Sequence, residues 1–153
     1  MGKLKTVVSN GKYHQGYFKP TNPEKYIGDP TKIRFMSAWE LKVFIRLDSD
    51  KNIKRWASEE IEIKYLSPID QKVHRYYPDI YAENISGQKF IIEIKPEKQT
   101  LPPAKPKKNN KRYLTEVTTY MVNKAKWAAA EDFCNKNGLV FKIATEKSLG
   151  ITY

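Results

Sequence analysis

A run of isoleucines interrupted by two charges, Phe90-Ile91-Ile92-Glu93-Ile94-Lys95, constrains this chain more than any other feature. Side chains alternate between the faces of a strand, so Glu93 and Lys95 share one face while Ile92 and Ile94 share the other. A buried strand has no structural need for a carboxylate and an ammonium on one side, and unpaired charges there are costly. The pattern predicts a central strand that keeps two charged groups for chemistry.

A second extended segment, Val73 to Ala82, precedes this strand and carries Asp79 directly after Pro78. The glycine-containing turn at residues 84–87 predicts that the two segments form an antiparallel hairpin. Pro78 favours an edge position or a bulge, and a bulge would decide which way Asp79 faces. If Asp79 and Glu93 share a face, two carboxylates converge and repel each other unless a proton or a cation is shared.

Residues 34–47 show the apolar spacing of a helix, with Ser37 as a candidate N-cap. Glu40 falls on the apolar stripe, because Val43 and Phe44 follow it by three and four residues. Two interpretations stay open. Glu40 is either a rim acid paired with a lysine or arginine, or a third acid that joins the hairpin carboxylates.

The remaining pattern predicts strands at 53–56, 61–66 and 139–144 and a long helix over 115–137 that ends at Gly138. Residues 1–33 are predicted to be a basic, irregular N-terminal arm, and residues 34–153 a single domain. This order of elements predicts an α/β or α+β fold with a mixed central β-sheet flanked by helices.

Positive charge dominates the chain, with 28 lysines and arginines against 17 acids and a net charge of +11. This balance favours a polyanionic partner such as nucleic acid. Residues 96–112 are predicted to be a flexible basic loop, which either contacts DNA or is a solvated connection. The candidate DNA-binding residues of this loop are Lys105, Lys107, Lys108, Lys111 and Arg112, and Lys124 of the long helix joins them.

Two negative expectations also follow from the sequence. One cysteine excludes an intramolecular disulfide framework and a multi-cysteine zinc site. The absence of a long apolar window predicts no membrane span, and the basic start of the chain predicts no signal peptide.

Carboxylate oxygens select hard cations, so a site formed by Asp79 and Glu93 is expected to hold Mg²⁺ or Mn²⁺. Such an ion lowers the pKa of a bound water and offsets charge on a phosphate. Lys95 would orient that water, help to deprotonate it or stabilise the transition-state charge. Glu40 would be a third acid, acting on the metal directly or through water. The alternative, in which the two charges have only a structural role, is that Glu93 and Lys95 form an exposed cross-strand pair.

The combination of Pro78-Asp79, a hairpin, Glu93-Ile94-Lys95 and Glu40 on a preceding helix resembles the PD-(D/E)XK nuclease superfamily. Further segments are similar to its TnsA-like branch and, more closely, to the small head completion nucleases of T4-like phages. These segments are Ser37-Ala38-Trp39-Glu40, Arg75-Tyr76-Tyr77-Pro78-Asp79, Glu93-Ile94-Lys95-Pro96 with Gln99, Asn123-Lys124-Ala125-Lys126-Trp127 and Thr145-Glu146.

The resemblance implies a restriction-endonuclease-like core and a metal-dependent endonuclease that acts on double-stranded DNA during phage head completion. It implies that Glu40, Asp79 and Glu93 are linked to the metal, that Lys95 is the catalytic lysine and that Gln99 borders the site. Portal, neck or head proteins would be partners, in the host cytoplasm during assembly or on the virion, with no small-molecule cofactor. Two alternatives are a DNA-end-binding head or neck protein that does not cut and a transposase-type endonuclease subunit.

Overall fold

The computed structural model describes residues 7–9 and 13–149, with side chains described from residue 15 to residue 148. The strands in chain order are β1 (Val7–Ser9), β2 (Tyr13–Phe18), β3 (Ile33–Phe35), β4 (Ile53–Ser58), β5 (Ile63–Leu66), β6 (Val73–Tyr76), β7 (Ile80–Asn84), β8 (Lys89–Ile94) and β9 (Val140–Ala144). The helices are α1 (Ala38–Ser49), α2 (Lys111–Asn137) and α3 (Glu146–Leu149), with short 3₁₀ turns at Pro23–Lys25 and Glu97–Thr100.

The central sheet is mixed, as predicted. Its strand order is β4-β7-β8-β9, with β4–β7 and β7–β8 antiparallel and β8–β9 parallel. Strand β8 is therefore internal, and Ile91 on it is fully buried. An internal strand needs apolar side chains on both faces, which explains why the carboxylate of Glu93 is conspicuous on it.

Two hydrophobic clusters fix what packs around this sheet. The first joins β7 and β8 to α1 and to the segment before it, with Trp56, Phe44 and Phe35 at its centre. The second joins the β5–β6 hairpin to α2 around Tyr65, Tyr76 and Ala130. The fold is thus an α+β core with a mixed sheet flanked by helices. None of the helices in the described part of the chain is long and apolar enough to span a membrane.

The N-terminal segment is not irregular where the structure describes it. Strands β2 and β3 pair antiparallel, and Phe18, Tyr26 and Ile33 belong to the same cluster as Phe44 of α1. Burial of these aromatic and aliphatic side chains explains why the segment folds despite its glycines and prolines. Residues 1–6 and 10–12 of the predicted arm lie outside the described residues.

The two long helices begin at side-chain caps. Ser37 accepts the backbone N–H of Glu40 at 3.1 Å, which confirms the predicted N-cap of α1. Helix α2 begins at Lys111 and not at residue 115 as predicted, because Asn110 caps it by accepting the N–H of Tyr113 at 2.8 Å. Gly138 ends α2 with a positive φ of 68°, as predicted.

The predicted strand from Val73 to Ala82 is in fact two strands. Strand β6 pairs with β5 in a separate two-stranded sheet, whereas β7 belongs to the central sheet. Pro78 lies in the break between them, where its missing N–H and fixed φ end one ladder before the next begins. This break positions Asp79 immediately before the first residue of β7.

Candidate active site

Asp79 and Glu93 lie opposite each other at the open end of the β7–β8 hairpin. The register pairs Ile80 with Ile92, and one further step along both strands brings Asp79 opposite Glu93. Residues directly opposite in an antiparallel pair point to the same face. The strand break at Pro78 therefore leaves the two carboxylates on one side of the sheet, away from the isoleucines that contact α1.

The Asp79 carboxylate is fixed by the backbone of the neighbouring strand. Its Oδ2 atom accepts the N–H of Ile94 at 2.7 Å, and Ile94 lies between Glu93 and Lys95. Burial and the nearby Glu93 charge raise the pKa of Asp79 to about 7, although the Ile94 hydrogen bond and Lys95 act in the opposite direction. At neutral pH this carboxylate needs a proton or a cation beside it.

Glu93 is the more deeply buried acid, with only 5% of its surface exposed. Its Oε2 atom accepts the hydroxyl of Tyr76 at 2.5 Å. Burial raises the pKa of Glu93, and the Tyr76 hydrogen bond and the Lys95 charge oppose that rise. The Tyr76 hydroxyl therefore ties an acid of the central sheet to the β5–β6 hairpin.

Lys95 is close to Glu93 without being hydrogen-bonded to it. The Lys95 Nζ atom lies 3.8 Å from Glu93 Oε1, and about a quarter (26%) of the lysine side chain is exposed. A pair at this distance is not an exposed cross-strand salt bridge, because the carboxylate is buried and the ammonium reaches the opening of the site. The ammonium can therefore meet a ligand that approaches the two acids.

Glu40 approaches the same acids from the start of α1. Its backbone N–H bonds to Ser37, while its Oε2 atom accepts the N–H of Met36 at 2.8 Å, a reciprocal cap at the helix N-terminus. Burial, then the charges of Glu59 and Glu93, raise the pKa of Glu40. Glu40 has no lysine or arginine ion pair within the described residues, which disfavours the rim-acid interpretation.

The carboxylates present suit a cation that takes only one or two ligands from the protein and the rest from water and substrate. Within residues 7–9 and 13–149, no three carboxylate, histidine or cysteine side chains are arranged to enclose a metal ion. Mg²⁺ is commonly bound by one or two carboxylates, with waters and substrate phosphates as the other ligands. Asp79 and Glu93 meet that requirement, while Glu40 is within electrostatic range and not part of a closed three-acid site.

Lys126 joins the site, although sequence reasoning chose Lys124. The Lys126 Nζ atom lies 5.5 Å from the Tyr76 ring centre and 5.8 Å from that of Tyr65, and its charge lowers the pKa of Glu93. Lys124 is exposed and lines a different depression with Glu131 and Phe141. The helical spacing could have identified Lys126, because it precedes the fully buried Ala130 by one turn.

The other predicted DNA-contacting residues are exposed and follow Lys95 along the chain. Gln99 is exposed on the 3₁₀ turn that follows Lys95. Lys105, Lys107 and Lys108 are exposed along the segment after it, whereas Lys111 and Arg112 lie on the first turn of α2 and not in the loop. A helix N-terminus is stabilised by negative charge because of the helix dipole. The first turn of α2 has two cations and no acid, so an anionic partner would supply that negative charge.

Two comparisons with known proteins show what this chain is similar to. Residues 50–146 match the family model described as TnsA-like endonuclease N terminal. The chain is also 42% identical over 140 residues to the head completion nuclease of Enterobacteria phage T4, which covers 89% of this chain and 93% of that protein. The matched span includes Asp79, Glu93 and Lys95.

Proposed function

This chain belongs to the TnsA-like endonuclease N-terminal family, and we propose that it is a metal-dependent DNA endonuclease that hydrolyses phosphodiester bonds. The observation that carries the proposal is the pair of opposed carboxylates, Asp79 partly buried and Glu93 buried, with the Lys95 ammonium 3.8 Å from Glu93. Burial and the Glu93 charge raise the pKa of Asp79, which is a cost that a divalent ion would remove.

Asp79 and Glu93 would hold Mg²⁺ or Mn²⁺, and Glu40 would contact its hydration shell. When bound, the ion would supply Lewis-acid stabilisation of the phosphate and a water of lowered pKa. Lys95 places a positive charge at the opening, where it can steady the charge that develops on the phosphate. Tyr76 and the backbone N–H of Ile94 hold the acids in position, and Lys126 limits the charge repulsion around Glu93.

Double-stranded DNA is the proposed substrate. The net charge of +11 and the exposed cations after Lys95 supply the sequence-independent attraction that phosphates require. Those cations begin three residues after the catalytic lysine, at Lys98, and continue to Arg112, so DNA that binds them passes the acid pair. No small-molecule cofactor is needed for this chemistry.

The proposed setting is completion of the phage head, since the T4 relative is named for that step and covers most of the chain. Portal, neck or head proteins would then be the partners. The protein would act in the host cytoplasm during assembly and on the virion if it stays with the head. A transposase-type endonuclease subunit is the second candidate, because the matched family model is TnsA-like.

A third candidate is a DNA-end-binding head protein that does not cut DNA. A plasmid-cleavage assay distinguishes it from the endonuclease. Supercoiled plasmid is incubated with the wild-type chain, with Lys95→Ala and with Asp79→Ala, each with Mg²⁺, with Mn²⁺ and with EDTA. The endonuclease proposal expects nicked or linear plasmid only for the wild type with metal. DNA binding without cleavage in any metal would support the structural protein, and cleavage that survives EDTA would overturn the metal mechanism.

A further inference from the structure

A cleft of about 630 Å³ lies between the segment 98–110 and the first half of α2. Its walls are largely apolar and aromatic. One wall carries Leu101 and three prolines, and the other carries the rings of Tyr113 and Tyr120. The volume is within the range of pockets that bind small organic groups. The proposed hydrolysis at Asp79 and Glu93 makes no use of this cleft.

An accessible amide lines the cleft. Asn123 is only 7% exposed as a residue, but its amide atoms are not among the sealed, unpartnered side-chain atoms of the described residues, which are the indole nitrogens of Trp56 and Trp127. The Asn123 amide therefore remains open to a group that enters the cleft. A side-chain amide offers both donors and acceptors, the combination that recognises the edge of a nucleobase.

Chain connectivity and a short series of contacts relate the cleft to the acid pair. Lys98 and Gln99 in one wall follow Lys95 by three and four residues, and Asn123 in the other wall is almost one helical turn before Lys126. The Lys126 ammonium in turn lies over the ring of Tyr76, which bonds Glu93. A group in the cleft would therefore be a near neighbour of a phosphate at the acids.

The mouth of the cleft is positively charged. Lys98 and Arg112 line it, and Lys105, Lys107 and Lys108 flank it along the same segment. The acid in the lining, Glu116, is paired with Arg112 at 3.1 Å and so offers little repulsion. Cations at the rim with aromatic and apolar walls inside match a nucleotide, whose phosphate is anionic and whose base is flat and apolar on its faces.

We propose that this cleft binds an unpaired nucleotide next to the scissile phosphate, so that the enzyme prefers DNA with a single-stranded end to continuous duplex. This inference rests on the proposed nuclease function. Paired bases in a duplex cover each other's faces, so aromatic walls can act only on a base that has left the stack. An apolar peptide would leave the rim cations and the Asn123 amide without partners.

The test compares two fluorescein-labelled duplexes, one blunt and one with a single-stranded thymidine tail, bound to full-length Lys95→Ala protein in EDTA. Fluorescence anisotropy gives the ratio of the two dissociation constants. We expect the tailed duplex to bind about tenfold more tightly. Adding Tyr120→Ala or Asn123→Ala should remove most of that preference. Tyr120→Phe keeps the ring and Met121→Ala changes an exposed neighbour, so both should keep it.

Equal binding of the blunt and tailed duplexes, or a preference that survives both Tyr120→Ala and Asn123→Ala, would overturn the inference. Failure of the nuclease proposal looks different. A wild-type chain that prefers tailed DNA but cuts no plasmid would contradict the enzyme and keep the nucleotide cleft. A chain that cuts plasmid but shows no preference would keep the enzyme and contradict the cleft.

Discussion

Tyr76 donates its hydroxyl to the Glu93 carboxylate at 2.5 Å, across the gap between the β5–β6 hairpin and the central sheet. Glu93 belongs to the internal strand β8, whereas Tyr76 ends β6 in a separate sheet. The small hairpin therefore has a role beyond covering α2. It orients the most buried acid of the site and favours the charged form of that acid.

Tyr76→Phe should weaken metal binding while the fold is retained. Partners that orient a metal-binding carboxylate typically contribute about 10- to 100-fold in affinity or activity. We expect the Mg²⁺ concentration for half-maximal plasmid cleavage to rise by about tenfold. Tyr65→Phe is the matched control, because Tyr65 lies in the same cluster and also contacts Lys126 but has no hydrogen bond to an acid. Equal effects of the two variants would contradict this role for Tyr76.

Asp79→Asn should stabilise the metal-free protein at high pH. The folded-state pKa of Asp79 is raised to about 7, so between about pH 4 and pH 7 the folded chain holds a proton that the unfolded chain has lost. The free energy of unfolding therefore falls as pH rises through this window. Removing the carboxylate should recover on the order of 2 kcal/mol at about pH 8.

Thermal unfolding in EDTA across this pH range measures the effect. Asp70→Asn is the control, because hydrogen bonds from the Lys72 backbone N–H and the His74 ring lower the pKa of that exposed acid. Its stabilising effect is complete above its unfolded pKa and is lost only as pH falls below about 4. A wild-type Tm that does not fall from about pH 5 to about pH 8 would contradict the raised pKa of Asp79 in the folded protein.

Lys126→Ala should impair cleavage more than Lys124→Ala. Lys126 lies over the rings of Tyr65 and Tyr76 and favours the charged form of Glu93, whereas Lys124 is exposed in another depression. We expect a loss of about tenfold in kcat for Lys126→Ala at saturating DNA, consistent with removal of one nearby charge. Single-turnover cleavage measures it, and the reverse order of the two variants would refute the assignment.

Replacing Lys105, Lys107 and Lys108 together with alanine should weaken DNA binding without abolishing cleavage at saturating DNA. Each phosphate contact contributes about 0.9 to the slope of log affinity against log salt, so the slope should fall by about 3. Lys42→Ala, Lys51→Ala and Lys72→Ala, combined in one chain, remove the same charge from exposed positions elsewhere. An equal loss of slope in both triple variants would show that only net charge matters.

Much of the site was predictable because its signals are local. The isoleucine run around Glu93 and Lys95, the turn after Asn84 and the position of Glu40 on an apolar stripe each follow from spacing alone. The mixed sheet also followed from the order of elements. These features depend on the alternation of strand side chains and the period of a helix, which the sequence displays directly.

The features that could not be predicted depend on tertiary packing. Pro78 was predicted to mark an edge position or a bulge. No local feature of the sequence shows that β6 pairs with β5 in a second sheet. The N-terminal segment was read as irregular because its polar residues hide Phe18 and Ile33, whose burial appears only when α1 is in place. Lys126 was not singled out for the same reason, since its spacing from Ala130 gains meaning only once Ala130 is known to pack in the Tyr76 cluster.

The most direct test is a crystal of the protein soaked in Mn²⁺ near neutral pH. The anomalous scattering of manganese locates the ion independently of any assay. The account predicts one strong peak within ligand distance of both Asp79 and Glu93, and loss of that peak in Asp79→Asn. A crystal with no peak at the two carboxylates, from protein that still cuts DNA in the same buffer, would contradict the central claim.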